Sequence, residues 1–240
     1  MRDLLPELPT AVLGASRWWV ALSGGADSVA LLYSLAEQQK LTEVPTLCAI
    51  HVNHGLHRDA GDWERVCQLH CNALGIELTT FRCKVKNTGA GLEAAAREAR
   101  YQAFESCLAK GDVLFTGHHR DDLVETVFLR LLRGAGPRGL AAIPAERPLG
   151  PSLLYRPFLH LDRSLICDRV AAAKLNYVKD PSNEEVYQDR NYLRHVVIPL
   201  IAERWPSYRE TVSRASMLQR SAYSRLTQAP LVRTETPLGE

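Results

Sequence analysis

The stretch WWVALSGGADSVALLYSL, residues 18–35, passes from an apolar run through two glycines and two serines into a second apolar run. Residues 18–22 predict a short buried strand, and the spacing of apolar residues from Val29 onward predicts a helix. Residues 23–28 therefore predict a turn that leads from a strand into a helix N-terminus. Backbone N–H groups point outward at such an N-terminus, and the helix dipole favours an anion there.

The residues of the SGGADS turn are suited to a phosphate group. Gly24 and Gly25 allow the backbone to approach phosphate oxygens closely, and Ser23 and Ser28 add hydroxyl donors. A Walker A loop would add a lysine, but SGGADS has none, so γ-phosphoryl transfer is not the expected chemistry. Asp27 is expected to face a magnesium ion that bridges phosphates. An ordinary helix N-cap is the alternative, because Ser and Asp cap helices routinely.

Strand-like and helix-like segments alternate along most of the chain, which predicts an α/β fold with a doubly wound, mainly parallel five-stranded sheet. The pattern becomes helical from about residue 160, and we place a domain boundary near residue 184, giving domains 1–184 and 185–240. After residues 18–22, the predicted strands are 46–53, 76–85, 112–119 and one around 153–158, and the main predicted helices are 60–74, 91–110 and 121–134.

Three polar loops follow strands of this predicted sheet. SGGADS follows the first strand, HVNHGLH (51–57) the second and GHHRDD (117–122) the fourth. Because such sheets bind ligands beyond the carboxyl ends of their strands, the three loops are expected to open onto one rim. Three histidines in HVNHGLH suggest a zinc site, but alternation along a strand separates their side chains and argues against it.

The composition predicts a cytoplasmic protein with reduced cysteines and no membrane span. No apolar run reaches about 18 residues, the N-terminus lacks the apolar centre of a secretory signal, and no two of the six cysteines are spaced C-x-x-C. The formal net charge of +2 hides an arginine-rich C-terminal segment. This segment has two alternative interpretations: a face that binds a polyanion, or a solvated helix surface.

SGGADS resembles the SGGxDS pyrophosphate loop of the N-type ATP pyrophosphatases, which split ATP between its α- and β-phosphates. Other segments resemble the tRNA(Ile)-lysidine synthetase family in order and separation. These segments are HVNHGLH (51–57), GLEAAAREARYQAF (91–104), GHHRDDLVETVFLRLLRGAGPRGLAAIP (117–144), RPFLHLDRSLI (156–166) and DPSNEEVYQDRNYLRHVVIPLI (180–201). The resemblance covers about residues 18–205 and implies an adenine nucleotide alpha hydrolase-like sheet with a C-terminal helical extension.

The resemblance implies a ligase that uses ATP and Mg²⁺. The wobble cytidine in the CAU anticodon of an isoleucine tRNA is adenylated, with release of diphosphate. The amine of free L-lysine then displaces AMP and forms lysidine. Family members usually continue into C-terminal domains that bind the tRNA body, so a chain ending at Glu240 is expected to be a fragment or a short form. A homodimer is a further expectation from the family.

The resemblance also implies roles for individual residues. Asp27, Asp122, Glu125 and Arg190 are implied to be catalytic, and Asp122, Glu125 and Arg194 to bind lysine. Asp27 and Asp121 are implied to hold Mg²⁺, and Arg97, Arg100 and Arg133 to contact tRNA. The implied ATP-binding residues are Ser23, Gly24, Gly25, Ala26, Asp27, Ser28, His51, Asn53, His54, Gly117 and His118.

Local sequence leaves other roles open for several of these residues. Asp122 and Glu125 share a helix face, where acids in a first turn also serve the helix dipole. Arg97 and Arg100 are also spaced to pair with Glu93 on a solvated helix surface. Rival functions are cytidine thiolation, for which the clustered cysteines are missing, an amidating synthetase, a nucleotide-binding module without turnover, and an RNA-binding protein.

Overall fold

A computed structural model describes residues 1–83 and 92–228, and its centre is a six-stranded sheet with the order β3-β2-β1-β4-β6-β5. Neighbouring strands are parallel except for β5 and β6, which form an antiparallel pair at one edge. The mainly parallel α/β sheet is thus confirmed, with six strands instead of five. The strands are β1 Trp18–Ala21, β2 Leu47–Asn53, β3 Glu77–Arg82, β4 Val113–Phe115, β5 Glu146–Leu149 and β6 Ser152–Tyr155.

The strand that the sequence missed is β5, whose residues are ERPL. Two charged residues and Pro148 remove the apolar alternation that would identify a strand. Pro148 is tolerated because β5 lies at the edge of the sheet, where a missing N–H breaks no ladder on the open side.

Helices flank the strands, and their bounds differ from the predicted ones mostly by a few residues. The helix predicted at 91–110 begins at Leu92 and ends at Cys107, and the strand predicted at 112–119 is only Val113–Phe115. The helices are α1 Thr10–Leu13, α2 Ala26–Leu41, α3 Ala60–Leu74, α4 Leu92–Cys107, α5 Arg120–Leu132, α6 Pro137–Leu140, α7 Arg163–Ala172, α8 Asp189–Tyr192, α9 Ile198–Arg204 and α10 Tyr208–Gln228.

Between α8 and α9 the chain makes a π-helical turn, Leu193–Val197, so residues 189–204 are helical throughout. Pro199 lies two residues after this turn and lacks the N–H that would continue the regular hydrogen-bond ladder. Short 3₁₀ turns occur at Arg2–Leu4, Pro157–His160 and Pro181–Glu184. No helix within residues 1–83 and 92–228 is long and apolar enough to cross a membrane.

The central strand β1 anchors the apolar core on both faces of the sheet. Trp18 packs edge-on against Phe115, with ring centroids 5.2 Å apart, and its indole N–H donates to the carbonyl oxygen of Val12 at 2.8 Å. Trp19 faces the opposite side and donates to Asp112 Oδ2 at 3.1 Å. A strand buried on both faces reads as a continuous apolar run rather than an alternating one, which explains the WWVA pattern.

The chain divides into two compact units. The first comprises Met1–Asp122 and Pro144–Glu185, and the second comprises Leu123–Ile143 and Val186–Glu240. In the second unit, Val124 and Leu193 belong to a small apolar core, and Arg220 donates to the carbonyl oxygens of Ala141 and Ile143 at 2.7 and 2.8 Å. The second unit thus includes a segment from within the predicted 1–184 domain, and that predicted boundary stays a prediction.

Candidate functional site

The SGGADS segment forms a tight corner between β1 and α2 in the first unit. Gly24 has φ +88°, a conformation that side chains rarely adopt. Gly25 is the N-cap of α2, and no side chain in the described part of the chain caps this helix. An uncapped N-terminus differs from the N-cap alternative that the sequence left open. It presents backbone N–H groups of the kind that bind phosphate oxygens.

The two serines of the corner hold its shape. Ser23 N–H donates to Ser28 Oγ at 3.2 Å, and the two hydroxyl oxygens lie 3.1 Å apart. The Ser28 hydroxyl in turn donates to the Gly25 carbonyl oxygen at 2.9 Å. Ser28 is therefore a buried structural residue of the loop, whereas Ser23 is exposed. Their predicted contacts with ATP stay predictions.

A segment far along the chain braces this corner. Val178 N–H donates to the Gly24 carbonyl oxygen at 2.9 Å. A Cβ at Gly24 would lie 3.2 Å from Val178 Cγ2 and 3.3 Å from Cys67 Sγ. Burial raises the pKa of the Cys67 thiol to about 12, so this thiol packs as a neutral group. Nothing in the local sequence pointed to Val178, because its contact depends on the fold alone.

Gly117, the first residue of the GHHRDD loop, packs against the first turn of α2. A Cβ at this position would lie 2.9 Å from the backbone carbon and oxygen of Asp27 and 3.2 Å from Ser28 N. Such a distance requires the backbone to shift, so the close approach of the two loops depends on glycine here. The loops after β1 and β4 therefore meet, as the topology predicted.

His119 connects three carboxylates next to this corner, and the site prediction missed it. The side chain is almost fully buried, with 2% of the residue exposed. His119 Nε2 lies 3.8 Å from Asp27 Oδ2 and 3.4 Å from Asp122 Oδ2, and Nδ1 lies 3.8 Å from Asp121 Oδ2. The only signal in the sequence was the second histidine of GHHRDD, whose role does not follow from spacing.

Asp122 has a structural role at the N-terminus of α5. Its Oδ2 accepts the backbone N–H of His119 at 3.0 Å, and Asp122 N–H donates to His119 Nδ1 at 3.4 Å. This reciprocal pair is a capping box, which corresponds to the first-turn role that the sequence left open. A part for Asp122 in catalysis or lysine binding stays a prediction.

The start of α7 contributes a backbone N–H to Asp121 and a guanidinium group near Asp27. Arg163 N–H donates to Asp121 Oδ2 at 2.9 Å, and Arg163 Nε lies 3.9 Å from Asp27 Oδ2. Arg163 was not predicted as a site residue. No group of three or more His, Cys, Asp or Glu in the described ranges is arranged to hold a metal ion by itself.

The residues predicted at the end of β2 are mostly engaged within the first unit. His51 is buried and its Nδ1 lies 2.8 Å from the Leu22 carbonyl oxygen, so this nitrogen carries the proton. Burial lowers the pKa of His51 below its ordinary value, against a hydrogen bond to Leu22 that raises it. Asn53 donates to Ala60 O at 3.3 Å and to Glu64 Oε2 at 3.2 Å.

His54, a predicted ATP-binding residue, has a ring nitrogen without a hydrogen-bond partner within residues 1–83 and 92–228. Its Nδ1 is buried and has no hydrogen-bond partner among the described residues. Burial lowers the pKa of His54, and the charge of Arg100 lowers it further. His118 differs, since its Nδ1 lies 2.9 Å from Thr116 Oγ1. Contacts of these two histidines with ATP stay predictions.

Glu125 is the centre of a separate ionic cluster in the second unit. Only 1% of the residue is exposed. Arg190 Nε donates to Glu125 Oε2 at 2.7 Å, and Arg194 donates from Nε to Oε1 at 2.7 Å and from Nη2 to Oε2 at 3.0 Å. The structure thus brings together three predicted residues, but it uses both carboxylate oxygens of Glu125. Their roles toward lysine stay predictions.

The predicted tRNA-contacting arginines lie in two places. Arg97 and Arg100 are on α4 in the first unit, and Arg97 Nη2 donates to Tyr101 Oη at 3.5 Å. Pairing with Glu93 was the alternative for these arginines, but the Glu93 side chain is outside the described set. Arg133 belongs to the second unit and forms an exposed ion pair of 3.1 Å with Asp189.

Comparison with known proteins identifies the family and the relatives to which this chain is similar. A model of the PP-loop domain family matches residues 4–201. A tRNA(Ile)-lysidine synthase of Pseudomonas putida is 46% identical over 207 residues, which are 86% of this chain and 48% of the relative. The Pseudomonas fluorescens tRNA(Ile)-lysidine synthase is 43% identical over 228 residues, which are 95% of this chain and 50% of the relative. The chain therefore spans about half the length of the curated relatives it matches.

A solved structure supports the fold assignment. The U34-tRNA thiolase of Methanococcus maripaludis, solved with its [4Fe-4S] cluster, is similar to this chain with a TM-score of 0.71. The match covers all of this chain and 80% of the thiolase, at 20% sequence identity. At that identity the likeness establishes a shared architecture and does not extend to the reaction.

Proposed function

The chain belongs to the PP-loop domain family, and we propose that it adenylates the wobble cytidine of a CAU-anticodon isoleucine tRNA and joins free lysine to it. The observation that carries this proposal is the similarity to tRNA(Ile)-lysidine synthases at 46% identity across 86% of the chain. The family-model match, residues 4–201, includes the glycine corner, the GHHRDD loop and the Glu125 cluster. The released products would be AMP and diphosphate.

In the first step, the glycine corner would stabilise the departing diphosphate. The uncapped N-terminus of α2 and the turn at Gly24 supply backbone N–H groups in fixed positions. Fixed donors stabilise developing charge without reorganising during the reaction, so no protein nucleophile is required. The brace from Val178 and the close packing of Gly117 support this role, because they keep the corner rigid.

Asp27 and Asp121 fit a magnesium ion bound together with a nucleotide. Both carboxylates lie within 3.8 Å of the same imidazole, and both are partly exposed at the corner, with 27% and 17% of the side chain accessible. Mg²⁺ is typically held by one or two carboxylates, with phosphates and water as its other ligands. When bound, the ion would neutralise charge on the α- and β-phosphates. His119 and Arg163 N–H would hold the two carboxylates in place.

In the second step, the lysine amine would attack the adenylated cytidine. An ammonium ion cannot act as a nucleophile, so its proton must be removed by a base, and we assign this role to Asp122. We assign the α-carboxylate of lysine to Arg194, whose guanidinium is oriented by Glu125 through two hydrogen bonds. Arg190, held by the same carboxylate, is assigned to the AMP phosphate.

The proposal is tested by incubating the chain with ATP, Mg²⁺, L-lysine and an isoleucine tRNA with a CAU anticodon. The expected result is AMP release together with a mass gain of one lysine, less one water, on the anticodon loop. Omission of lysine should abolish the mass gain, and a tRNA with another wobble base should remain unmodified. Asp27→Asn should impair AMP formation.

Other outcomes would contradict the proposal in distinguishable ways. AMP release with a different modification of the tRNA would indicate a sister reaction of the PP-loop family. Nucleotide binding without AMP release, with every substrate present, would indicate a binding module. In either case the assignment of lysine to Arg194 would be wrong.

A further inference from the structure

Two arginines lie over the ring of Tyr101 in the first unit, and a third, Arg156, interacts with it electrostatically. The guanidinium carbons of Arg97 and Arg147 lie 5.1 and 4.9 Å from the centroid of the Tyr101 ring. Arg97 Nη2 donates to Tyr101 Oη at 3.5 Å, and the charges of Arg147 and Arg156 also act on this side chain. We refer to Tyr101, Arg97, Arg147 and Arg156 as the Tyr101 cluster.

Arg156 forms the buried back of the Tyr101 cluster. Only 4% of the residue is exposed. Its Nη1 donates to the Pro144 carbonyl oxygen at 2.8 Å, whereas Nε is buried and has no hydrogen-bond partner in the described parts of the chain. A buried guanidinium with an unused donor is costly unless a further acceptor is supplied.

The cluster contains three positive charges and no described carboxylate. Among residues 1–83 and 92–228, no ion pair joins Arg97, Arg147 or Arg156 to an acidic side chain. The acceptor for Arg97 is the hydroxyl of Tyr101, and the acceptors for Arg147 and Arg156 are the backbone carbonyl oxygens of Pro148 and Pro144. Charges that are buried in proteins are normally paired, so an uncompensated group of this kind attracts an anion.

Electrostatics within the cluster are consistent with an excess of positive charge. Burial would raise the pKa of Tyr101, but the charges of Arg97, Arg156 and Arg147 outweigh it and lower that pKa. Burial lowers the pKa of Arg156, and the neighbouring Arg147 and Arg97 lower it further, against an interaction with Tyr101 that raises it. An anion between the guanidinium groups would relieve this repulsion.

We propose that the Tyr101 cluster is a binding site for a backbone phosphodiester of the RNA substrate. Guanidinium groups present paired N–H donors that match phosphate oxygens. Arg156 would supply a donor from the buried side, and exposed Arg97 leaves the site open to a polymer. We choose RNA as the source of the phosphate because α4 also carries Arg100, one helical turn from Arg97. A nucleic acid has phosphates at regular intervals, so neighbouring phosphates could contact both arginines. The inference rests on the proposed function for its choice of RNA.

The site is tested by direct RNA binding in the absence of ATP and lysine. The probe is an anticodon stem-loop with the CAU sequence, and affinity is measured at several salt concentrations. Arg147→Gln should weaken binding roughly 5- to 10-fold and reduce the slope of log K against log salt by about one. A stem-loop of unrelated sequence should lose the same factor, because a phosphate contact carries no base information.

Matched variants separate this contact from a general loss of charge or of folding. Arg65→Gln removes one exposed arginine from α3 in the same unit and should change affinity by less than about twofold. Tyr101→Phe keeps all three arginines and should weaken binding less than Arg147→Gln. Circular dichroism and thermal melting verify that each variant is folded; Arg156→Gln is avoided as the primary test, because it leaves a buried polar group.

Defined results would overturn the inference. If Arg147→Gln binds the stem-loop with the affinity and salt slope of Arg65→Gln, the cluster does not contact RNA. If inorganic phosphate raises the melting temperature of the wild type but not of Arg147→Gln, while RNA affinity is equal in both, the site takes a free anion instead.

The inference and the proposed function fail separately. Lysine incorporation by the wild type with unchanged RNA binding by Arg147→Gln would leave the function standing and reject the site. A weakened, salt-dependent interaction in Arg147→Gln without any lysine incorporation by the wild type would support the site and reject the function.

Discussion

The glycine corner of the first unit and the Glu125 cluster of the second unit are built by different means. The corner consists of backbone groups whose positions depend on close packing around Gly24 and Gly117. The Glu125 cluster consists of a buried carboxylate and two guanidinium groups at 2.7 Å. The corner should therefore be sensitive to an added methyl group, and the cluster to a lost charge.

The two regions also differ in how a ligand would affect them. The N-terminus of α2 has no side-chain cap, and its Gly25 N–H donates to Ser23 Oγ over a long distance of 3.4 Å, so an oxyanion at that amide would replace only a weak hydrogen bond. At Glu125 both carboxylate oxygens already accept hydrogen bonds, so a new partner must compete with Arg190 or Arg194. A ligand at the corner would thus displace weak hydrogen bonds, whereas a ligand at Glu125 would displace short ion pairs.

The largest effect is expected for Glu125→Gln. The substitution keeps the shape but leaves two partly buried guanidinium groups without their anion, so the free energy of unfolding should fall by about 3 kcal/mol. Chemical unfolding measures this loss. Asp189→Asn is the matched control, because it breaks an exposed pair with Arg133 and should cost less than about 1 kcal/mol. Equal losses in the two variants would show that the buried cluster has no special role.

A smaller effect, on activity rather than stability, is expected for Gly117→Ala. The new Cβ would lie 2.9 Å from the Asp27 backbone and displace the first turn of α2. We expect kcat/KM for AMP formation to fall roughly 10- to 100-fold, since small displacements of positioning groups have effects of that size. Gly61→Ala adds the same methyl group to α3 with nothing within 4 Å. If both variants retain wild-type kinetics, the close approach at Gly117 is irrelevant to the reaction.

The smallest effect concerns the pH dependence of stability. The buried His51 contributes to it, whereas the uncharged backbone groups of the glycine corner do not. Because burial lowers its folded-state pKa, His51 takes up a proton more readily in the unfolded chain. Its contribution to stability is therefore present above about pH 6.5, the ordinary histidine value, and is lost as the pH falls through the folded-state value. Urea unfolding at pH 7.5, 6.5 and 5.5 should show a shallower decline in His51→Asn than in the wild type.

His51→Asn keeps an N–H donor for the Leu22 carbonyl oxygen, which His51 contacts at 2.8 Å. His54 and His160, whose pKa values burial also lowers, are unchanged and contribute the same background to both proteins. Parallel declines in wild type and variant would show that the acid sensitivity arises elsewhere.

Much of the first unit could be predicted because its signals are local. The apolar run at β1, the helix Ala60–Leu74 and the glycine turn each follow from neighbouring residues. The edge strand β5 was missed because charged residues and Pro148 replace the apolar pattern. The pairing of Glu125 with Arg190 and Arg194 was also missed, although each residue was singled out, because the partners are 65 and 69 positions apart.

The sequence by itself determined the alternation of strands and helices, the turn that requires glycine, and the resemblance to a family of ATP-using enzymes. Periodicity and backbone conformational freedom act over a few residues, so they can be read directly from the letters. Only the tertiary structure decided that Val178 braces Gly24, that His119 lies next to three carboxylates and that Arg97 and Arg147 both lie over the Tyr101 ring. These contacts join residues distant in the chain, and packing around the sheet brings them together.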